Sequence, residues 1–577
     1  MNHTACYRKG YPRPQFVRTA WEDLNGEWRF GFGEEVTQED ALKGKLPRTI
    51  CVPFSYETPM SGIGTEEIHH RVWYSRTIGC RTGKRALLHL EGADYKASVY
   101  VNGAYAGSHC GAYARYTLDI TSLLHEGKNT LTVCCDDDGH PSRVRGKQRW
   151  MAPSYGCWYV QTTGLWKSVW MEYVDAVSLS ALKITPDLKD YSVRFDYDVS
   201  EPGDDVTVQF DISFQGMRLH TVCAGASDRY NSVTCSLPSE KLTYQVALWS
   251  PSDPALYDVM ITVYKGGKPT DHVGSYFALR DYSVKGDKIL LNSRPFYARL
   301  VLDQGYWKES GLTPPDEEAL ARDILLAKEM GFNGARKHQK IEDERYFYYA
   351  DILGFTVWCE LPSNHWFSDA SSEQLTQEWL EIVRSNYNHP SLVTWVIFNE
   401  SWGVRNILTN RSQSDLANGL YYLTKSIDSM RPVISNDGWE HAKSDILTLH
   451  DYEQDGEKLY SKYASLDKAV HGCAENEQPL AFADGSGYCG QPVLISEFGG
   501  TAYAGDEDHG WGYGQGVSGN EEFLNRFASL VGAVDRMNFS GFCYTQLTDV
   551  QQEVNGLLRE DRSPKVPLQE IKMRNQK

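Results

Sequence analysis

Nowhere in the 577 residues does an apolar run approach the roughly 18 residues of a membrane-crossing helix. The N-terminus, Met1 to Gly10, is polar and has no apolar core segment, so a secretory signal is not expected. Positive charge is scarce. With 58 Lys and Arg against 76 Asp and Glu, the formal charge is -18, and nucleic acid or an anionic membrane would repel such a chain. Cysteine patterning is missing too: the 13 cysteines are odd in number, scattered from Cys6 to Cys543, with no CxxC or Cys/His zinc spacing. Reduced thiols in a cytoplasmic protein are the simplest account. No Gly-rich phosphate loop follows a strand, so no nucleotide cofactor is indicated.

What is present is length, aromatic residues and two successive patterns. The chain is too long for one core and calls for several domains. Its 16 Trp and 35 Tyr suit stacking against the C–H faces of sugars, although β-rich domains use aromatics in any case. Residues 1–174 alternate apolar and polar over short strands such as Ala86–Leu90 and Ala97–Val101, which reads as a β-sandwich. Residues 175–279 hold a second all-β block of immunoglobulin-like size, without the Cys–Trp–Cys core of antibody domains.

From 280 to 577 strands alternate with helices. Eight strand candidates stand out: Tyr297–Leu302, Phe332–Arg336, Phe355–Cys359, Val393–Phe398, Pro432–Asn436, Ile446–His450, Val493–Ser496 and Gly541–Thr545. Helices are predicted over Pro315–Met330, Leu375–Tyr387 and Ser414–Met430. Eight βα units in this length predict a (β/α)8 TIM barrel, with functional groups at the C-terminal strand ends. Those ends carry Arg336, Glu360, Asn399-Glu400, Asn436-Asp437, His450, Glu497 and Tyr544.

Two endings carry the chemistry. Val396-Ile397-Phe398-Asn399-Glu400 and Val493-Leu494-Ile495-Ser496-Glu497-Phe498-Gly499-Gly500 are apolar runs that each deliver a glutamate to a strand end. Two carboxylates brought to one pocket are what glycosidic bond cleavage requires. The acid of such a pair needs a raised pKa, which Trp395 and Trp402 are expected to help supply by desolvating Glu400.

On these motifs, and on the order sandwich, immunoglobulin-like sandwich, barrel, the chain resembles glycoside hydrolase family 2. The resemblance implies Glu400 as general acid/base, Glu497 as nucleophile, Asn399 as the 2-hydroxyl ligand, Arg336 as the group that holds Glu497 ionised, and Tyr452 as its hydrogen-bond donor. It also implies a glycoside or oligosaccharide substrate, no cofactor, no metal, and no nucleic-acid or membrane partner; a homo-oligomer is left open. Glu360 is a sugar ligand or an orienting group for Arg336. Asp437 and His450 are candidate sugar contacts, and Trp439 and Tyr544 are stacking platforms or barrel-top packing. Arg145-Gly146-Lys147-Gln148 is expected to be a solvated basic loop of the first domain, with a reach over the barrel mouth as the alternative.

Departures from the family pattern bear on the sugar. Its β-glucuronidases hold the sugar carboxylate with an Asn-any-Lys motif after the eighth strand; here the region reads Glu553-Val554-Asn555-Gly556-Leu557, with Asn555 but no Lys. The second strand ends Arg336-Lys337-His338-Gln339-Lys340 in place of a Ser-His-Tyr-Pro type of sequence. The expectation is a retaining exo-β-glycosidase of β-galactosidase type. The alternatives are a β-glucuronidase or β-galacturonidase using Lys337 or Lys340, an α-L-arabinosidase, a transglycosylating enzyme, and a non-catalytic sugar-binding protein.

Overall fold

The computed structural model describes residues 3–237, 246–471, 481–483, 485–503 and 510–576. Three bodies succeed one another along the chain. Strands from Trp21–Asp23 to Val169–Val174 form the first sandwich, an antiparallel four-stranded sheet facing an antiparallel six-stranded one. Alternation explains the packing: in Lys96–Val101 the residues Ala97, Val99 and Val101 turn inward while Lys96 is exposed. Strands from Leu179–Asp187 to Lys268–Phe277 build the second sandwich from sheets of three and four strands. Its core is filled by Phe195, Phe210, Tyr257 and Phe277.

The third body is the barrel. Its strands, numbered within it, are β1 (Ala298–Asp303), β2 (Gly334–Lys337), β3 (Thr356–Glu360), β4 (Leu392–Asn399), β5 (Val433–Asp437), β6 (Leu447–His450), β7 (Val493–Glu497) and β8 (Gly541–Tyr544). They run in the order β5-β4-β3-β2-β1-β8-β7-β6, and the paired neighbours are parallel. Leu300, Trp358, Val396, Ile434, Leu494 and Cys543 fill the interior. A small antiparallel sheet within Tyr282–Pro295 adds Tyr282, Ile289 and Leu291 to that cluster and plugs the N-terminal end. The open end is therefore the C-terminal one, where the polar strand endings collect.

The helices begin where their caps dictate. The first barrel helix runs Glu317–Glu329, not from Pro315, because the Asp316 carboxylate accepts from the Ala319 N–H and makes Asp316 the N-cap. The helix predicted from Leu375 starts at Asp369, behind a reciprocal cap between Ser368 and Ser371. A serine in the second place of that box, where Glu or Gln is usual, hid the signal. No helix among the described residues is long and apolar enough to cross a membrane.

Buried charge ties the two sandwiches together. Arg18 Nη1 lies 2.6 Å from Glu172 Oε2 in the first, and Arg18 Nη2 lies 2.8 Å from Asp271 Oδ2 in the second. Arg18→Met would strand both carboxylates in the interior at a cost of about 3–5 kcal/mol. Urea unfolding followed by tryptophan fluorescence should then begin at lower denaturant; an unchanged midpoint would contradict this role.

Candidate active site

The site is built around one guanidinium. Arg336, near the end of β2, has no exposed side-chain surface. Its Nε donates to Glu360 Oε2 at 2.6 Å, Nη1 to Glu497 Oε1 at 2.8 Å, and Nη2 to Asn399 Oδ1 at 2.6 Å, while Asp437 Oδ2 lies 2.7 Å from Nη1. One side chain thus touches the ends of β3, β4, β5 and β7. Glu360 is held in turn by the Gln339 side chain at 2.7 Å and backbone N–H at 3.1 Å.

Glu400 follows β4 on a left-handed turn, with φ of 48° at Glu400 and 55° at Ser401. Such values are uncommon outside glycine. Here the turn is pinned, since Glu400 N–H donates to Asp437 O at 3.0 Å and Ser401 N–H to Asn436 Oδ1 at 2.9 Å. The turn brings Glu400 to His450, whose Nδ1 lies 2.8 Å from Glu400 Oε1 and whose Nε2 lies 2.9 Å from Asp437 Oδ2. Gly438, with φ of 83°, makes room: a Cβ there would meet the His450 ring at 2.2 Å. Oxygens of Glu400 and Glu497 come within 4.8 Å of each other. Tyr452 donates its hydroxyl to Glu497 Oε2 and stacks on Tyr513.

The electrostatics follow from these contacts. Burial pushes the Glu497 carboxyl up, but the neighbouring His450 and Arg336, then His338 and the Tyr452 hydroxyl, outweigh it and hold Glu497 down at about 2. Burial pushes His450 down, yet Glu497, Asp437 and Glu400 around it raise it to about 10. Asp437 is held far below the ordinary carboxylate range, with Arg336 and His450 overcoming its burial. Glu400, His450 and Glu497 also have the mutual spacing of metal ligands. A protonated His450 that donates from both nitrogens has no lone pair for an ion.

Several expected roles change. Asp437 and His450 are not sugar contacts here: Asp437 is fully buried beneath Arg336, and both His450 nitrogens are taken by carboxylates. Glu360 orients Arg336 and has no exposed surface to offer a sugar. Tyr544 packs edge-on against Phe498 and Phe527 inside the barrel wall. Trp395 points outward, donating to Asp428 and packing on Trp379, so it does not desolvate Glu400. Lys337 is spent on Asp303 and Glu342, and Lys340 on Glu342 and the carbonyls of Gly305 and Leu312. Asn555 is buried, donating to Glu553 and accepting from Gln546. Trp439 is half-buried beside Gly438. Asn399 gives its carbonyl oxygen to Arg336, which leaves its amide N–H groups for a ligand.

The loop expected to be solvated is the largest departure. Arg145, Lys147 and Gln148 are buried, and the N–H groups of Arg145 and Gly146 donate to Ser363 O at 3.1 and 2.9 Å. Gly146 approaches so closely that a Cβ would lie 2.4 Å from Gln339 O. The loop carries Lys147 to Glu553, 3.5 Å away. Trp158 from the same loop packs against Trp402, which also faces His365. The first sandwich therefore walls the barrel mouth. Trp158 and Tyr513 were not among the sequence candidates, and Lys147 and Glu553 were named only as members of the Arg145–Gln148 loop and the Glu553–Leu557 region.

Comparison with known proteins agrees with this geometry. Residues 282–577 match the description "Glycosyl hydrolases family 2, TIM barrel domain", residues 177–280 "Glycosyl hydrolases family 2", and residues 61–157 "Glycosyl hydrolase 2 galactose-binding domain-like". The chain belongs to glycosyl hydrolase family 2. Within the family it is 22% identical to a β-glucuronidase from Paenibacillus borealis, over 98% of each chain. It is 26% identical to a β-glucuronidase from Bacteroides fragilis over 65% of this chain and 56% of that one. The chain thus spans about half the length of some relatives, 48% for one from Formosa agariphila. The fold superposes on a β-galacturonidase from Eisenbergiella tayi bound to galacturonate with a TM-score of 0.76, at 20% identity over 98% of this chain and 99% of that one.

The raised His450 pKa has a definite sign. An imidazole normally titrates near 6.5, and His450 does so at about 10. The stability gained from its bound proton is complete below about pH 6.5 and is lost as the pH rises from there through about 10. His450→Gln should flatten the fall in urea midpoint between about pH 6.5 and 9.5; an equal fall in variant and parent would contradict a buried, charged His450.

Proposed function

We propose that this family 2 protein is a retaining exo-β-glycosidase in which Glu497 is the nucleophile and Glu400 the general acid/base. The observation that carries the reading is the separation of the two carboxyl groups, with oxygens within 4.8 Å. Retaining pairs stand about 5–5.5 Å apart, whereas inverting pairs need about 6.5–9.5 Å to admit a water. Glu497, ionised by Arg336 and His450, attacks the anomeric carbon as the glycosidic C–O bond breaks. Glu400 gives its proton to the departing oxygen. In the second half Glu400 takes a proton from water, the water oxygen attacks the same carbon, and the ester bond to Glu497 breaks. Asn399 is placed to donate to the sugar. The loop at Arg145–Gln148 and the pair Trp158–Trp402 close one side of the mouth, which favours terminal over internal sugars.

The sugar class we favour is a neutral β-hexoside of galactoside type. A substrate carboxylate buried without a partner costs several kcal/mol. Arg336, Lys337 and Lys340 are all committed to internal carboxylates. A second reading, a β-uronide, is favoured by two observations. Lys147 is a buried cation beside the mouth whose one hydrogen-bond contact among the described residues is the long one to Glu553; several relatives are named for uronides.

Two measurements test this. Glu497→Ala should lose turnover of an aryl β-glycoside, and azide should restore it as the α-glycosyl azide. Glu400→Ala should lose far less with dinitrophenyl than with alkyl leaving groups, which need the proton, and azide should give the β-azide. Full activity in Glu497→Gln, or equal loss across leaving groups in Glu400→Ala, would sink the assignment. A panel of p-nitrophenyl β-galactoside, glucoside, mannoside, fucoside, glucuronide and galacturonide, with α-L-arabinosides, decides the sugar. A uronide preferred about tenfold in kcat/KM, roughly 1.4 kcal/mol, would select the second reading.

A further inference from the structure

One polar corner of the mouth has a composition that the two-glutamate chemistry does not use. Glu553, in the segment after β8, is buried and its carboxylate is saturated from three sides. Lys147 Nζ lies 3.5 Å from Oε2, the Tyr159 hydroxyl donates to the same oxygen, and Asn555 Nδ2 donates to Oε1 at 3.1 Å. The network then closes on itself. Asn555 Oδ1 accepts from Gln546 Nε2 at 2.6 Å, Gln546 Oε1 from Gln304 Nε2 at 2.6 Å, and Gln304 Nε2 lies 2.9 Å from the Tyr159 oxygen. The donors come from both bodies, Lys147 and Tyr159 from the first sandwich and Asn555, Gln546 and Gln304 from the barrel.

A cation, a phenol and an amide converging on one carboxylate form a carboxylate receptor, and the occupant here is the protein's own side chain. The corner adjoins the reaction centre: Tyr452, which donates to Glu497, also lies 3.3 Å from Thr545 Oγ1, and the next residue, Gln546, belongs to the Glu553 network. An ammonium group has three donors, and Lys147, beside the Tyr159 ring, has among the described residues one hydrogen-bond contact, at 3.5 Å, which leaves it able to take another acceptor. While Glu553 stands there, Lys147 already has its counter-charge, and an incoming carboxylate meets the like charges of Glu553 and Glu497, whose cations, Lys147, Arg336 and His450, are already engaged. A hydroxyl meets no such penalty.

We propose that Glu553 is a built-in carboxylate that fills the position a uronic acid would need and thereby selects neutral sugars, with Lys147, Tyr159 and Asn555 forming a latent uronate site beneath it. This rests on the neutral-sugar reading and names the residue that enforces it. Discrimination can rest on a like charge set against the wrong ligand, so one neutralising substitution should be visible.

The test uses the full chain. Glu553→Gln keeps the size of the side chain and removes its charge. The ratio of kcat/KM for p-nitrophenyl β-glucuronide and β-galacturonide to that for the best neutral glycoside should rise at least tenfold in Glu553→Gln. Inhibition by saccharolactone should tighten relative to a neutral gluconolactone. Adding Lys147→Met to Glu553→Gln should erase both gains. A folded Glu553→Gln enzyme with both ratios unchanged or lower would overturn the proposal, including the case in which no uronide is turned over and the lactone constants do not move. A parent enzyme that already prefers uronides and loses that preference in Lys147→Met would refute the neutral-sugar reading itself, an outcome distinct from an unresponsive Glu553→Gln. Circular dichroism and thermal unfolding of each variant separate misfolding from loss of selectivity, and Glu553→Ala supplies a second neutral variant if Gln disturbs the network.

Discussion

A charge buried at the centre of the barrel governs the rest of the site. The Arg336 guanidinium has left water completely, a transfer that costs several kcal/mol unless geometry and hydrogen bonds are nearly complete. The compensation comes from three carboxylates and one amide, each delivered by a different strand end: Glu360, Asn399, Asp437 and Glu497. Planarity matters here, because five N–H donors in a fixed fork can satisfy four partners only if those partners stand at fixed angles. The guanidinium therefore sets the relative positions of β3, β4, β5 and β7, and Glu497 stays ionised as a consequence. His450 extends the arrangement by linking Asp437 to Glu400. In the proposed mechanism structural and chemical roles coincide: the groups that neutralise Arg336 include Glu497, the proposed nucleophile.

The first sandwich walls the candidate site. Its loop at Arg145–Gln148 docks on Ser363 and Gln339, and the close approach at Gly146 shows how little space separates the two bodies. Through that loop Lys147 and Trp158 reach a mouth otherwise built from barrel loops. The buried pairing of Arg18 with Glu172 and Asp271 anchors the first sandwich to the second. The register of the mouth thus depends on contacts far from it.

Much of this was legible from the chain. Most barrel strands are apolar runs with a polar end and could be read from hydrophobicity, whereas β2, Gly334–Lys337, is half charged and is legible from its place in the alternation of strands and helices; the pair Glu400 and Glu497 could be read from the Asn-Glu and Ser-Glu endings of two of the apolar runs. What periodicity does not encode is which of two inward polar groups touches the other. Asp437 and His450 read as free sugar ligands because their partners, Arg336 and Glu400, lie on other strands. Trp395 read as lining the site because β4 is apolar on both faces, which removes the alternation that would have marked it as outward. Lys147 and Glu553 are 406 residues apart and sit on different bodies, so no local pattern joins them. The Ser368 cap was missed for a smaller reason, a serine standing where a longer polar side chain is the usual signal.

The central claim is that the Arg336 cluster keeps Glu497 as the ionised nucleophile. The most direct measurement is trapping. Incubation with a 2-deoxy-2-fluoro β-glycoside bearing a dinitrophenyl leaving group, in the sugar configuration the enzyme prefers, slows hydrolysis of the covalent intermediate. Peptide mass spectrometry should then find one fluorosugar attached to Glu497, with the label absent in Glu497→Gln. A label on Glu400 or any other residue, or turnover with inversion at the anomeric carbon and no adduct, would contradict the account.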